Sequence, residues 1–416
     1  MSEFNYGDPH PLGSDVRKHK FDSDKHTAKK FANILGAASK LYTRDAVGVH
    51  EGISLFDRDA INIDHWRRWT VSLFNNNFED VFAAELCRDY AFNGGVDHSQ
   101  HAKDEVVLCE VGVEACRRLH DRQREVLALG SLGSAWRSAG DGRKGLIFCE
   151  QSLALAKEIG NLRLEGIARG QLGQAWAYLG QAKKAIESYE LALPIARETA
   201  DRRREGTLLG QLGNAWADLG DLRKAIAYYE QRLSIAHQVG DRYGEGSVLS
   251  NLGIAYAELG DCDKSIEYFE KDLAICREYG FRASEAIALM NLGYAQCLLG
   301  KYKKTIVIAK QALAISIEMG DRSGEGYCYG VLGLAWDALG RHSTAADFHK
   351  QNIIIAKETG DRRTEGDAAY NLARCLHSLA NHKDAIEYAN QALITFTEID
   401  SPRIDSAKQL IIELTK

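Results

Sequence analysis

A leucine recurs every 40 residues along most of this chain, at Leu132, Leu172, Leu212, Leu252, Leu292, Leu332 and Leu372. Glycine follows the first six of these leucines, and Ala373 follows the last. An aromatic ring comes three residues later in Trp136, Trp176, Trp216, Tyr256 and Trp336, and Gly140, Gly180, Gly220, Gly260, Gly300 and Gly340 close the same unit. Seven such copies span 121–400. A fixed period of this size builds an array of supersecondary units, each packing on its neighbours.

Within one copy the spacing is helical. In the third, Leu208, Leu212, Ala215, Trp216 and Leu219 form one apolar stripe. Gly220 then stands where a helix ends in the left-handed conformation, which glycine adopts without steric cost. Ala225, Ile226, Tyr229, Leu233 and Ala236 make a second stripe, Gly240 ends it, and Asp241 can cap the next helix. Each copy therefore predicts a hairpin of helix A and helix B. The expected fold is all-α, a right-handed superhelical solenoid of stacked antiparallel helix hairpins. Gly213 and its equivalents lie inside helix A, where each costs about 1 kcal/mol relative to alanine. That cost predicts a close approach by another helix.

The pattern L-G-x-A-[WY]-x-x-L-G, followed by [AST]-I near the start of helix B, resembles the tetratricopeptide repeat. The longer period, with "NLG" in helix A and "GDR" between repeats, resembles the Pins-like polarity scaffolds and kinesin light chains. It is equally similar to the repeat regions of bacterial NB-ARC/STAND signalling ATPases. The resemblance implies partner binding on the inner, concave surface lined by helix A.

The remaining segments fall outside the register. Residues 1–50 read as a partly helical extension, and 51–120 as a helical cap that doubles as a degenerate eighth hairpin. Residues 401–416 read as a C-terminal capping helix after Pro402. The stretch Leu55 to Ile63 resembles the helical linker that precedes the repeats in NB-ARC-type ATPases.

Chemistry-bearing motifs are sparse. The sequence contains no phosphate-binding G-x-x-x-x-G-K-[ST], no H-E-x-x-H and no G-x-S-x-G, so no enzyme activity and no cofactor is expected. His98 and His101, with Asp97 and Asp104 nearby, form a weak metal motif lacking a third histidine, and no metal site is expected there. A formal charge of −6 argues against a dedicated nucleic-acid binder. Arg122, Arg202, Arg242, Arg282, Arg322 and Arg362 recur at one position, but Glu125 and its equivalents follow three residues later in every copy. Those charges cancel locally, and the Asp residues before the arginines read as helix caps. No run approaches the apolar length of a membrane span. Nine scattered cysteines without C-x-x-C, and a polar first segment, predict a cytoplasmic chain with free thiols.

Mapping the family's groove onto this register gives candidate partner-binding residues. Copies one to three place Gly130, Gly170 and Gly210 there, beside Gln171, Gln174, Gln211 and Asn214. Asn251, Asn291 and Asn371 continue the series. Side-chain amides carry both donor and acceptor, so such a ladder suits an extended peptide backbone. Tyr294, Tyr327, Tyr370 and Arg374 make the far end larger and more apolar. The competing reading is that the amides cross-link neighbouring helices. Basic residues such as Arg137 and Arg374 are isolated, which argues against a carboxylate clamp for chaperone tails. The expected function is a non-catalytic scaffold that binds a peptide or partner domain in the groove. The alternative is a regulatory sensor module acting with a separate effector or ATPase.

Overall fold

The computed structural model describes residues 26–33 and 102–415. The His98/His101 motif and the Leu55–Ile63 stretch lie outside the described residues, as do most of the two predicted N-terminal segments. Every regular element among the described residues is a helix. Contacts divide the chain into two units, one comprising 1–221 with 238–241 and the other 222–237 with 242–416.

The first unit holds α1 (26–33), α2 (Ala102–Arg118), α3 (Arg122–Ser138), α4 (Gly142–Ile159), α5 (Leu162–Tyr178), α6 (Ala182–Glu198) and α7 (Arg202–Asp218). The second holds most of α8 (Leu222–Val239), then α9 (Arg242–Glu258), α10 (Cys262–Tyr279), α11 (Arg282–Leu298) and α12 (Tyr302–Met319). It continues through α13 (Arg322–Ala338), α14 (His342–Thr359), α15 (Arg362–Ser378), α16 (His382–Glu398) and α17 (Ile404–Leu414). Odd-numbered helices from α3 to α15 are the predicted A helices, and even-numbered ones from α4 to α16 the B helices. Loops of two or three residues join them, which makes consecutive helices antiparallel neighbours. Within each unit helix A also packs on the A helix of the next repeat, as α3 does on α5 and α13 on α15. Within each unit the A helices thus share one surface.

The turns explain the spaced glycines. Gly140 (φ +88°), Gly260 (φ +81°) and Gly340 (φ +72°) end A helices in the left-handed region, and Gly160, Gly280, Gly320 and Gly360 end B helices the same way. Ala200 (φ +52°), Ala380 (φ +58°) and Asp400 (φ +50°) hold the same conformation without glycine's freedom.

The mid-helix glycines have a different cause. A Cβ on Gly173 would lie 2.4 Å from the Tyr189 ring, and one on Gly253 would lie 2.5 Å from Phe269. Gly133 meets Cys149 Sγ at 2.6 Å in the same sense. In these three hairpins the crowding residue stands sixteen positions later, on helix B. Close approach is therefore internal to the hairpin. In the seventh repeat both partners are small, Ala373 and Ala389, and both are fully buried.

The charged ladder is structural. Asp121, Asp201, Asp321 and Asp361 accept a hydrogen bond from the backbone three residues on, capping their A helices. Arg122, Arg282 and Arg322 each reach the glutamate near the end of their own repeat's helix B, Glu158, Glu318 and Glu358, at 2.7, 2.7 and 2.5 Å. Arg362 pairs likewise with Glu398. Glu285 also accepts from Arg277 of the preceding helix B, at 2.9 Å, and from Arg282, at 2.8 Å. Burial works to raise the Glu285 carboxyl, but Arg277 and Arg282 hold it below the ordinary range.

Candidate functional site

Among the described residues a cavity of about 600 Å³ lies in the second unit, between A helices α11, α13 and α15 and helix α14. The turn chemistry starts these helices in register, and the glycines keep the surface low. Gly326 and Gly330 lie one turn apart on α13, and side chains there would meet Ile355 at 3.0 Å and Asn352 Nδ2 at 2.9 Å. Tyr294 and Tyr327 form its rim and are 42% and 41% exposed. Asn371 lines it from α15.

Asn352 sits at the base of this cavity and is 6% exposed. Its side-chain oxygen is buried without a hydrogen-bond partner. Such a group costs about 1–3 kcal/mol when left unmade, so a ligand donor that reaches it gains a large part of that energy. On the α15 side Asp367 pairs with Arg403, whose guanidinium stacks 4.6 Å from the Tyr370 ring centroid. Asp367 and Arg403 line the cavity on that side, and Tyr370, outside the lining, packs on the Arg403 guanidinium.

The predicted residues divide by position. Tyr294, Tyr327 and Asn371 are brought together on this cavity, whereas Arg374 is exposed elsewhere on α15. Asn251 lines a second, smaller cavity, and Asn291 donates to Ser250 Oγ at 3.2 Å, linking α11 to α9. In the first unit Gln171 lies over Gly130, with its amide where a Cβ on that glycine would stand. Arg137 donates to Gln174 Oε1 at 3.2 Å. Gln211 is half-buried and Asn214 exposed on α7.

Helix B residues were not among the sequence candidates. Asp272 and Asn352 occupy one register position, which elsewhere holds Ser152, Ala192, Arg232, Ala312 and Ala392. Opposite them stand Gly246 and Gly326, again at one register position. The signal was a polar residue in an otherwise mostly small slot, read together with glycine across the hairpin.

Among the described residues no group of three or more His, Cys, Asp or Glu could hold a metal ion, and no helix is long and apolar enough to cross a membrane. Burial pushes the Cys149 thiol up to about 11 and those of Cys109 and Cys328 up to about 12, far from a reactive thiolate at neutral pH.

This geometry is that of a tetratricopeptide-repeat array, and tetratricopeptide repeat models match residues 204–278 and 366–393. The fold resembles the apo form of the quorum sensor NprR from B. thuringiensis, with 14% identity and a TM-score of 0.61, covering 90% of this chain and 99% of that one. It also resembles a STAND protein with a tetratricopeptide repeat sensor from Pyrococcus horikoshii, with 17% identity and a TM-score of 0.60. That match covers 83% of this chain and 54% of the STAND protein. The apo form of RapI aligns at 14% identity and a TM-score of 0.56, covering 66% of this chain and 99% of that one. No curated protein matches.

Proposed function

We propose that this protein is a non-catalytic interaction scaffold that holds a peptide or partner domain against its A helices, in a concave groove. The observation that carries this reading is the 600 Å³ cavity under Tyr294 and Tyr327, with the unpartnered Asn352 oxygen at its base. Two exposed tyrosines over a buried acceptor suit a partner side chain that is flat, apolar along its body and tipped with a donor. Asn371 beside them can bond a partner backbone. The buried thiols of Cys149 and Cys328, in no disulfide, fit a cytoplasmic setting.

The test is affinity capture from native lysate with wild type and with the triple variant Tyr294→Ala, Tyr327→Ala and Asn371→Ala. Circular dichroism establishes that the variant is folded. A partner retained by wild type and lost by the folded variant supports the groove. Equal retention places binding elsewhere.

A second reading is a regulatory sensor module working with a separate effector or ATPase. The fold likeness to a STAND protein's repeat sensor favours it. Capture of a nucleotide-binding partner in the same experiment separates the two.

A further inference from the structure

The smaller cavity differs in kind from the larger one. It occupies about 190 Å³ between α9, α10 and the start of α11. Ligand-sized pockets run from roughly 300 to 1,000 Å³, so this one takes a single side chain rather than a whole small molecule. Of the residues lining it, Asp272 alone carries a formal charge. Tyr243, Ser247, Ser250 and Asn251 supply the polar side chains that line it from α9.

Asp272 is 4% exposed, and its carboxylate lines the cavity. Gly246 makes this possible, because a Cβ there would stand 2.9 Å from Asp272 Oδ1. The hydrogen bond to Oδ1 comes from Cys276 Sγ at 3.4 Å, and a thiol is a weak donor. A buried carboxylate with so little compensation is costly, and a cation brought to it relieves that cost. Tyr243 and Phe281, edge to face at 5.5 Å, form the rim, and aromatic faces attract the same charge. A metal ion is excluded by the ligand set, since a hard divalent cation takes six or more oxygens and one carboxylate stands here.

We propose that the Asp272 cavity is a subsite for a cationic side chain, lysine or arginine, of the partner that lies along the A helices. The assignment rests on the groove reading above and adds its charge preference. The two cavities share one register position on helix B and differ there by carboxylate against amide. The groove thus reads a basic residue at Asp272 and a neutral donor at Asn352.

Burial pushes the Asp272 carboxyl up to about 6, against the weaker pull of the Cys276 hydrogen bond. The titratable groups facing it are Cys276 on its own helix and Tyr243 on α9, while α11 contributes only Ser284 and Ile287 to the lining. Protonation of Asp272 therefore competes with a bound cation in mildly acidic solution.

The test uses the full chain with n-butylguanidinium as probe and N-butylurea as its neutral near-isostere, read through the ¹³C carboxyl resonance of Asp272. At pH 8 the guanidinium is expected to move that resonance and bind at least tenfold tighter than the urea. Its affinity should drop about tenfold at pH 5, and Asp272→Asn should erase the difference between the probes. That variant is expected to fold, because Asn352 fills the same slot two repeats on, and the two-probe comparison in wild type stands without it. Equal binding of both probes, or an unmoved carboxyl, overturns the subsite. Lysate capture through Tyr294 and Tyr327 is unaffected by that result, and loss of capture leaves the probe result standing, so the two readings fail separately.

Discussion

Gly333 makes room for His349: a Cβ on the glycine would lie 2.4 Å from Cε1 of the imidazole. The histidine is 1% exposed, both its ring nitrogens are buried without hydrogen-bond partners, and burial pushes its pKa down to about 4. The nearby Asp337 favours the charged form, but less than burial opposes it. It is a histidine used as an aromatic filler, in the slot that holds Tyr189 and Phe269 in other repeats.

That placement predicts an acid-sensitive hairpin. The folded pKa lies below the unfolded value near 6.5, so the unfolded chain takes up the proton first as pH falls. Between pH 7.5 and pH 5 His349 should cost about 2 kcal/mol of stability. His349→Phe should remove that dependence, measured as urea midpoints at both pH values.

Asp272 works in the opposite direction. Its folded pKa is raised to about 6. Its stabilising contribution is complete below the unfolded value near 3.9 and is lost as pH rises through 6. Acidification from pH 7.5 to 5 should therefore restore on the order of 1 kcal/mol at this position. Asp272→Asn should abolish that gain and raise the urea midpoint at pH 8.

The glycines separate into two kinds under substitution. Gly253→Ala drives a methyl into Phe269 and should lower stability by about 1–3 kcal/mol. At Gly293 the nearest atom is Ile308 Cγ2 at 3.6 Å, an ordinary contact. Gly293→Ala should be neutral or stabilising by up to about 1 kcal/mol through helix propensity alone. Chemical denaturation of the two variants side by side checks both signs.

At the turns the prediction reverses. Ala380 holds φ +58° where the earlier repeats use glycine. Ala380→Gly relieves a left-handed cost of about 1–2 kcal/mol and gives back part of it as chain entropy in the unfolded state. A net gain of about 0.5–1 kcal/mol in thermal or urea unfolding is the expected outcome.

The hairpin architecture was legible because its signals are local. Leu212 and Leu252 are fully buried, and Asp201 and Asp361 cap the helices they precede. The candidate site was less so. Helix register says which residues share the A-helix surface but not whether an amide turns outward. Gln171 folds over Gly130, and Gln174 accepts from Arg137. Both contacts join residues about one repeat apart, and neither is visible in single-helix periodicity. Asp272 and Asn352 were missed for a related reason. A polar residue on a helix B stripe acquires meaning only when the opposing glycine, 26 positions earlier, is known to face it.

The sixteen-residue interval that separates Gly133, Gly173, Gly253 and Gly333 from the side chains they admit has a consequence for how such a chain can change in length. Both halves of the fit travel on one hairpin, so copying a 40-residue segment copies lock and key together. A duplicated repeat arrives already packed within itself and has only its outer faces to match to its neighbours. Recombination inside a hairpin has no such protection, since it can set a Phe269-sized ring against an Ala373-sized partner and break the fit in one step. Growth and loss by whole repeats is therefore the easy path for this chain, and exchange within one is the hard path.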